Sequence, residues 1–256
     1  MTFADHFSAQ SSTYAAFRPH YPDALFDWLA TLVPRDAEAR DAEARDAEAW
    51  DCATGSGQAA VALAERVAHV SATDASASQL AHAAPHPRVS YAVAPAEASG
   101  LADASVDLVT VAQALHWFDR DAFWREVRRV LRPGGVVAVW SYGNATLDAP
   151  ALDDAFQHFY AHVVGPYWPA ERAYVGAAYR ALSFPFDELT APSFTMTAWW
   201  TLADLAGYVR SWSATTRYVR AHDEDPVGRL ERALAPLWGD GERAVRWPLT
   251  VRVGRR

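Results

Sequence analysis

One stretch constrains this chain more than any other: Asp51-Cys52-Ala53-Thr54-Gly55-Ser56-Gly57-Gln58. The short apolar segment 50–53 reads as a strand, a loop with two glycines follows, and residues 58–66 have the composition of a helix. Glycine lets the backbone turn sharply and lets a ligand approach closely. The helix behind it offers free N–H groups and the positive end of its dipole. The pattern beyond the loop agrees. Segments 69–74, 89–94, 106–115 and 136–142 read as strands, and 76–84 and 119–131 as helices. Strands alternating with helices predict an α/β fold with a parallel sheet covered on both faces. Short apolar strands fit burial on both sides.

The 256 residues suit a single domain of this kind. Residues 22–33 begin with Pro22 and repeat Leu25, Phe26, Trp28, Leu29 and Leu32 at helical spacing. Residues 35–50 are a tandem repeat, RDAEARDAEARDAEAW, whose five-residue period fits neither a helical stripe nor a strand. Residues 35–49 are therefore expected to form a solvated helical or mobile insertion without chemistry of its own. Residues 147–189 interrupt the alternation with a helical, aromatic-rich segment. Segments 193–200 and 246–256 then read as strands on either side of a helix at 202–222. Two late strands flanking a helix predict an antiparallel finish to the sheet.

Two acids sharpen the glycine loop. Asp51 ends the first strand, four residues before Gly55, and Asp74 ends the second, 17 residues after Gly57. Adjacent parallel strands bring such ends side by side at a ligand crevice. Asp74 can accept hydrogen bonds from both hydroxyls of a ribose. The plain alternative is helix capping, Asp74 standing just before Ala75-Ser76. A nicotinamide-binding domain is the rival, because Gly55-Ser56-Gly57-Gln58-Ala59-Ala60 also fits G-x-G-x-x-A. An acid just before the loop would repel a pyrophosphate, whereas it suits the ammonium group of a methionine moiety.

Five stretches in order, residues 51–58, 73–76 (TDAS), 93–101, 106–119 and 131–140, resemble the class I S-adenosylmethionine (SAM)-dependent methyltransferases of the type 11 group. Residues 14–22 (YAAFRPHYP), and less specifically 208–218, are similar to the subgroup that includes trans-aconitate methyltransferase-like proteins. The resemblance implies a Rossmann-like fold: a mostly parallel seven-stranded sheet with an antiparallel last strand, plus a helical cap. It makes residues 1–33 an N-terminal lid and 147–190 a substrate-binding cap. It implies SAM as cofactor, with Ala53, Gly55 and Gly57 against methionine and ribose, Asp51 near the amino group and Asp74 on the ribose hydroxyls. Ala96 and Glu97 would border the adenine, and Gln113, Ala114 and Trp117 would line the sulfonium end. Tyr14, Arg18 and Tyr21 would close over the methionine portion. Ala53 stands where the family usually has glycine; alanine is tolerated there if the backbone keeps a negative φ.

Composition narrows the chemistry. The chain has 23 basic residues, all arginine, and 31 acidic ones, a net charge of -8. Without lysine there is no Schiff base and no P-loop lysine. An acidic chain suits nucleic acid poorly, so a small-molecule acceptor is expected. Cys52 is the one cysteine, and no metal site is expected. No apolar run reaches a membrane span and residues 1–22 lack a secretory pattern, so a cytoplasmic location is expected. His116 is the candidate general base, since its ordinary pKa suits proton transfer near neutrality. Aromatic residues of the cap suit a planar or apolar acceptor, and Arg172 and Arg180 are candidates for an acidic one. Oxygen is the favoured target atom, through the subgroup resemblance. A nicotinamide-dependent oxidoreductase and a SAM-binding protein without turnover are the alternatives, and the oligomeric state is left open.

Overall fold

The structure, a computed structural model, describes residues 19–33 and 46–256. Tyr14, Arg18 and the first two units of the repeat lie outside the described residues. The strands are β1 (Glu48–Cys52), β2 (His69–Asp74), β3 (Val89–Val93), β4 (Val106–Ala112), β5 (Leu131–Tyr142), β6 (Thr146–Leu147), β7 (Asp187–Leu189), β8 (Phe194–Trp200) and β9 (Arg243–Arg255). β1 to β5 are parallel in the order β3-β2-β1-β4-β5. β9 follows, antiparallel to β5, and β8 pairs with it antiparallel. Leu249 of β9 is opposite both Tyr142 and Phe194, so β5 and β8 occupy its two edges. The short β6 continues the β5 edge and β7 the β8 edge. The sheet is thus seven strand positions wide, and β9 is the strand that runs against the others.

Burial on both faces explains the apolar strands. Ala49, Leu108, Val136, Ala138 and Trp140 face α1 (Asp23–Leu32) and α2 (Gln58–Ala64). Trp50, Cys52, Val109, Val111, Val137 and Val139 face α4 (Arg120–Val130), whose Phe123, Trp124, Val127 and Val130 complete that layer. The strand order reverses between β1 and β4, so their C-terminal ends border the crevice of the sheet.

Several boundaries differ from the sequence expectation. β1 starts at Glu48 because Ala47 and Ala49 alternate into the core, so the last residues of the repeat belong to the sheet. α3 (Ala77–Leu80) is a single turn that buries no side chain, and Pro85 and Pro87 follow it. β4 stops at Ala112, where Gln113 turns to φ 58° and Leu115–Trp117 forms one 3-10 turn. The segment expected as a cap begins with α5 (Pro150–His158), widens into a π-helical turn at Phe159–Val163, tightens to a 3-10 turn at Gly165–Tyr167, and reaches α6 (Arg172–Gly176). Residues 202–222 form two helices, α7 (Leu202–Arg210) and α8 (Ser213–His222), rather than one. α9 (Val227–Trp238) had a legible signal in Val227, Leu230, Leu234 and Trp238, which are buried on one face; Pro236 within its last turn obscures it.

Candidate active site

The parallel register fixes the first acid. Asp51 is opposite Thr110 on β4, so the two side chains share a face of the sheet. The Thr110 hydroxyl donates to Asp51 Oδ1 at 2.7 Å, and the Thr54 hydroxyl, from the loop, donates to Oδ2 at 2.6 Å. Asp51 is 1% exposed. Burial pushes its pKa up to about 6, against the hydroxyl hydrogen bonds, and the nearby Asp74 adds to the rise. Among the described residues no cation forms an ion pair with it. This arrangement holds a carboxylate that gains from a cation arriving in the crevice.

Asp74 ends β2 and grips the loop. Its Oδ2 accepts from the Gly55 N–H at 2.9 Å and its Oδ1 from the Ser76 N–H at 2.8 Å. The cap of α3 is Ser76, whose side chain accepts from the Gln79 N–H, so Asp74 is not the capping residue. The loop turns through left-handed backbone at Ala53 (φ 55°), Gly55 (φ 58°) and Gly57 (φ 81°). The negative φ that would have excused alanine at position 53 is therefore not adopted. A Cβ at Gly57 would run into the Tyr91 hydroxyl, while one at Gly55 would find only Gln79 Oε1 at 3.9 Å. The loop is closed on its inner side and open where a ligand can lie. Gln58 Nε2 donates to the Pro19 carbonyl at 3.2 Å, which brings Pro19 to the loop's exit. Tyr21, buried, sets its ring edge-on to Trp140 and Tyr142, beside the end of β5.

The turn after β4 supplies the opposite wall. Gln113 Nε2 donates to the Tyr142 carbonyl at 2.8 Å, and its Oε1 is buried without a hydrogen-bond partner among the described residues. Ala96 and Ala114 are buried, and Glu97 accepts from the Asp119 N–H at the start of α4. Trp117 is half-buried beside His116, their ring centres 4.8 Å apart. His116 Nδ1 lies 2.7 Å from the hydroxyl of Tyr179, a buried residue of the cap. Burial and the charge of Arg172 lower the His116 pKa to about 4, so the ring is neutral at pH 7. Cys52, the last residue of β1, is buried on the face toward α4, and its thiol is held well above its ordinary range, chiefly by burial, which removes it as a nucleophile.

Sequence reasoning brought Asp51, Asp74, the loop, Gln113, Ala114, His116 and Trp117 to one end of the sheet, and the structure gathers them there. It missed Thr54 and Thr110, and it gave Tyr179 and Trp168 only as two of the aromatic residues of segment 147–190, without partners. Thr54 stands three residues after Asp51, a local signal that was available; the contacts of the other three are set by the tertiary structure. Of the two candidate cap arginines, Arg180 is exposed, whereas Arg172 is half-buried with its guanidinium 4.8 Å over the Trp168 ring.

Comparison with known proteins gives consistent results. A family model described as a methyltransferase domain matches residues 50–139. A Dictyostelium discoideum protein named provisionally as a methyltransferase is 32% identical over 236 residues, 91% of this chain and 86% of that protein. A solved structure from Anaeromyxobacter dehalogenans, described provisionally as a type II methyltransferase, shares 43% identity, covers 93% of this chain and 97% of its own, and superposes with a TM-score of 0.85. A methyltransferase-like structure from Anabaena variabilis, at 18% identity and 90% and 98% coverage, has a TM-score of 0.54, a likeness of fold alone. Among the described residues no helix is long and apolar enough to cross a membrane. No group of three or more metal-ligating side chains gathers among them.

Proposed function

We propose that this chain, which belongs to the class I SAM-dependent methyltransferases, moves the methyl group of its cofactor to an oxygen atom of a small organic acceptor held beneath the cap. The observation that carries the reading is the pair Asp51 and Asp74 on either side of an open glycine loop. Asp51 would take the ammonium group of SAM, and Asp74 the ribose hydroxyls. The backbone at Ala53, Gly55 and Gly57 would allow close approach. Ala96 and Glu97 would border the adenine. Gln113, with its unpartnered Oε1, would line the sulfonium end with Ala114 and Trp117. Tyr21, together with Tyr14 and Arg18, would cover the methionine portion. When bound, SAM supplies a methyl group on a sulfonium, which an acceptor lone pair takes as the sulfur loses its charge.

The chain's own part is to align and to exclude water. A base near pKa 4 is a weak proton acceptor at neutral pH, because efficient base catalysis needs a pKa near the working pH. His116 is therefore assigned to positioning, and the acceptor oxygen arrives already ionised. A nicotinamide dinucleotide suits the crevice poorly, since its pyrophosphate would face Asp51 at the loop. Two measurements test the reading. Calorimetry with SAM, S-adenosylhomocysteine, NADH and NADPH should give binding for the first two alone. A screen with methyl-labelled SAM against carboxylic acids, phenols, amines and nucleic acids should label a small carboxylic acid. Tight NADH binding without a response to SAM, or labelled nucleic acid alone, would overturn it.

A further inference from the structure

Arg172 is a partly buried cation with unused donors. It is half-buried at the start of α6, and among the described residues no carboxylate lies within ion-pair distance of it. Its one side-chain hydrogen bond among the described residues is a long one, 3.4 Å from Nε to the Tyr160 hydroxyl. A guanidinium carries five donors in a planar fork, so most of its capacity is unused. Its guanidinium carbon is 4.8 Å from the centre of the Trp168 ring, over the ring, so its charge faces the π-system. The indole Nε1 of Trp168 is itself buried, without a hydrogen-bond partner among the described residues. Trp168 is in turn held by Tyr160 and Trp212, at 5.6 and 5.5 Å between ring centres.

The place of this pair matters as much as its donors. The charge of Arg172 is felt by His116, Tyr179 and Tyr208. His116 follows β4, and Tyr208 is close enough to Tyr142, at the end of β5, to feel its charge. Arg172 thus overlooks the same end of the sheet as the crevice, from the cap side. A chain with more acids than arginines could have paired this one. Leaving a partly desolvated cation and a buried N–H without acceptors is unfavourable unless a ligand supplies them.

We infer that Arg172 and the Trp168 N–H anchor a carboxylate of the methyl acceptor, with the Trp168 and Tyr160 rings against its planar or apolar body. A carboxylate matches the planar fork, and one cation with one N–H balances a monoanion better than a phosphate dianion. This rests on the methyl-transfer reading for the word acceptor, but the binding claim can be tested separately. The full chain is titrated by calorimetry with trans-cinnamate, benzoate and indole-3-acetate, each against its primary amide, with and without S-adenosylhomocysteine. The expected result is at least one carboxylate binding tenfold or more tightly than its amide. Arg172→Gln should abolish that preference, Arg172→Lys should keep part of it, and Trp168→Phe should weaken the carboxylate a few-fold. All three variants should keep their affinity for S-adenosylhomocysteine and their melting temperature. Equal binding of acid and amide, no carboxylate bound at all, or a preference surviving in Arg172→Gln would overturn the inference. Failure of the unaltered chain to bind S-adenosylhomocysteine would instead overturn the methyl-transfer reading, and the acid–amide comparison would still decide the role of Arg172.

Discussion

The hydroxyl of Tyr179 lies 2.7 Å from Nδ1 of His116, 63 residues away in the chain, and ties the cap to the turn that ends β4. The contact is held against backbone strain. Ala178 and Tyr179 both sit in the left-handed region, at φ 56° and 55°, which costs about 1–3 kcal/mol for each non-glycine residue. The buried Tyr179 ring and its hydrogen bond help to offset that strain.

The first prediction follows from this pair. His116 has a folded pKa of about 4, below its ordinary 6.5, so it stays neutral from pH 8 down past pH 5. No limb of a rate–pH profile between pH 6 and 8 should belong to it. His116→Ala should lower kcat by less than about tenfold, independent of pH, whereas a general base would give a loss of about 10²–10⁴. Arg172→Gln should raise the His116 pKa, read by NMR titration, because it removes a nearby positive charge. An unchanged pKa would show that the two side chains are not neighbours.

Asp51 titrates in the opposite sense. Its folded pKa of about 6 is above the ordinary 3.8, so the fold favours the protonated form. The stability it contributes is full below about pH 4 and is lost as pH rises through 6, a difference of roughly 3 kcal/mol. Asp51→Asn should therefore raise the melting temperature of the ligand-free chain at pH 7.5 and change it little at pH 4. Binding of a cationic ammonium needs the carboxylate, so SAM affinity should fall about tenfold between pH 7 and pH 5. Calorimetry in buffers of differing ionisation enthalpy would detect the proton released. A flat affinity over that range would separate Asp51 from the ligand.

Asp74 has two roles that substitution can separate. Asp74→Asn keeps an oxygen for a loop N–H and should weaken SAM by roughly 2–4 kcal/mol with little change in melting. Asp74→Ala should also destabilise the chain by about 1–3 kcal/mol, since the Gly55 and Ser76 N–H groups lose their acceptor. If Asp74 serves the loop alone, the asparagine variant will bind SAM unchanged.

The loop offers a pair of substitutions of opposite sign. Ala53→Gly relieves a left-handed alanine, worth about 1–2 kcal/mol, partly cancelled by the freer unfolded chain, about 0.4–1 kcal/mol. A net gain of about 0.5–1 kcal/mol is expected, read as a rise of a few degrees in melting temperature. Gly57→Ala adds the same strain and drives a methyl group into Tyr91, whose hydroxyl donates to the Ala84 carbonyl at 2.8 Å. It should destabilise the chain and weaken SAM together. A melting point unmoved by either change would mean that the loop backbone differs from the one described.

Short-range pattern alone determined much of this protein. Apolar runs such as residues 106–112 announce strands, the glycines announce the turn at 55–57, and Asp51 and Asp74 sit at strand ends by their position in those runs. These are local consequences of periodicity and of what a side chain permits its own backbone. What only the tertiary structure decided are matters of partner and of sign. Thr110 reaches Asp51 because β1 and β4 pair in one register; a slip of one residue would turn the threonine to the other face. Tyr179 and Arg172 reach His116 because the cap folds back over the sheet's end. β6 and β7 exist only as continuations of neighbouring edges along β9, a long strand with more partners than β5 and β8 can fill. The left-handed turn at Ala53 runs against the preference of alanine itself, because the loop is closed by the Thr54 N–H on the Thr73 carbonyl and by Asp74 on Gly55. Local propensity is worth about a kilocalorie per residue, and several hydrogen bonds from strands distant in sequence outweigh it.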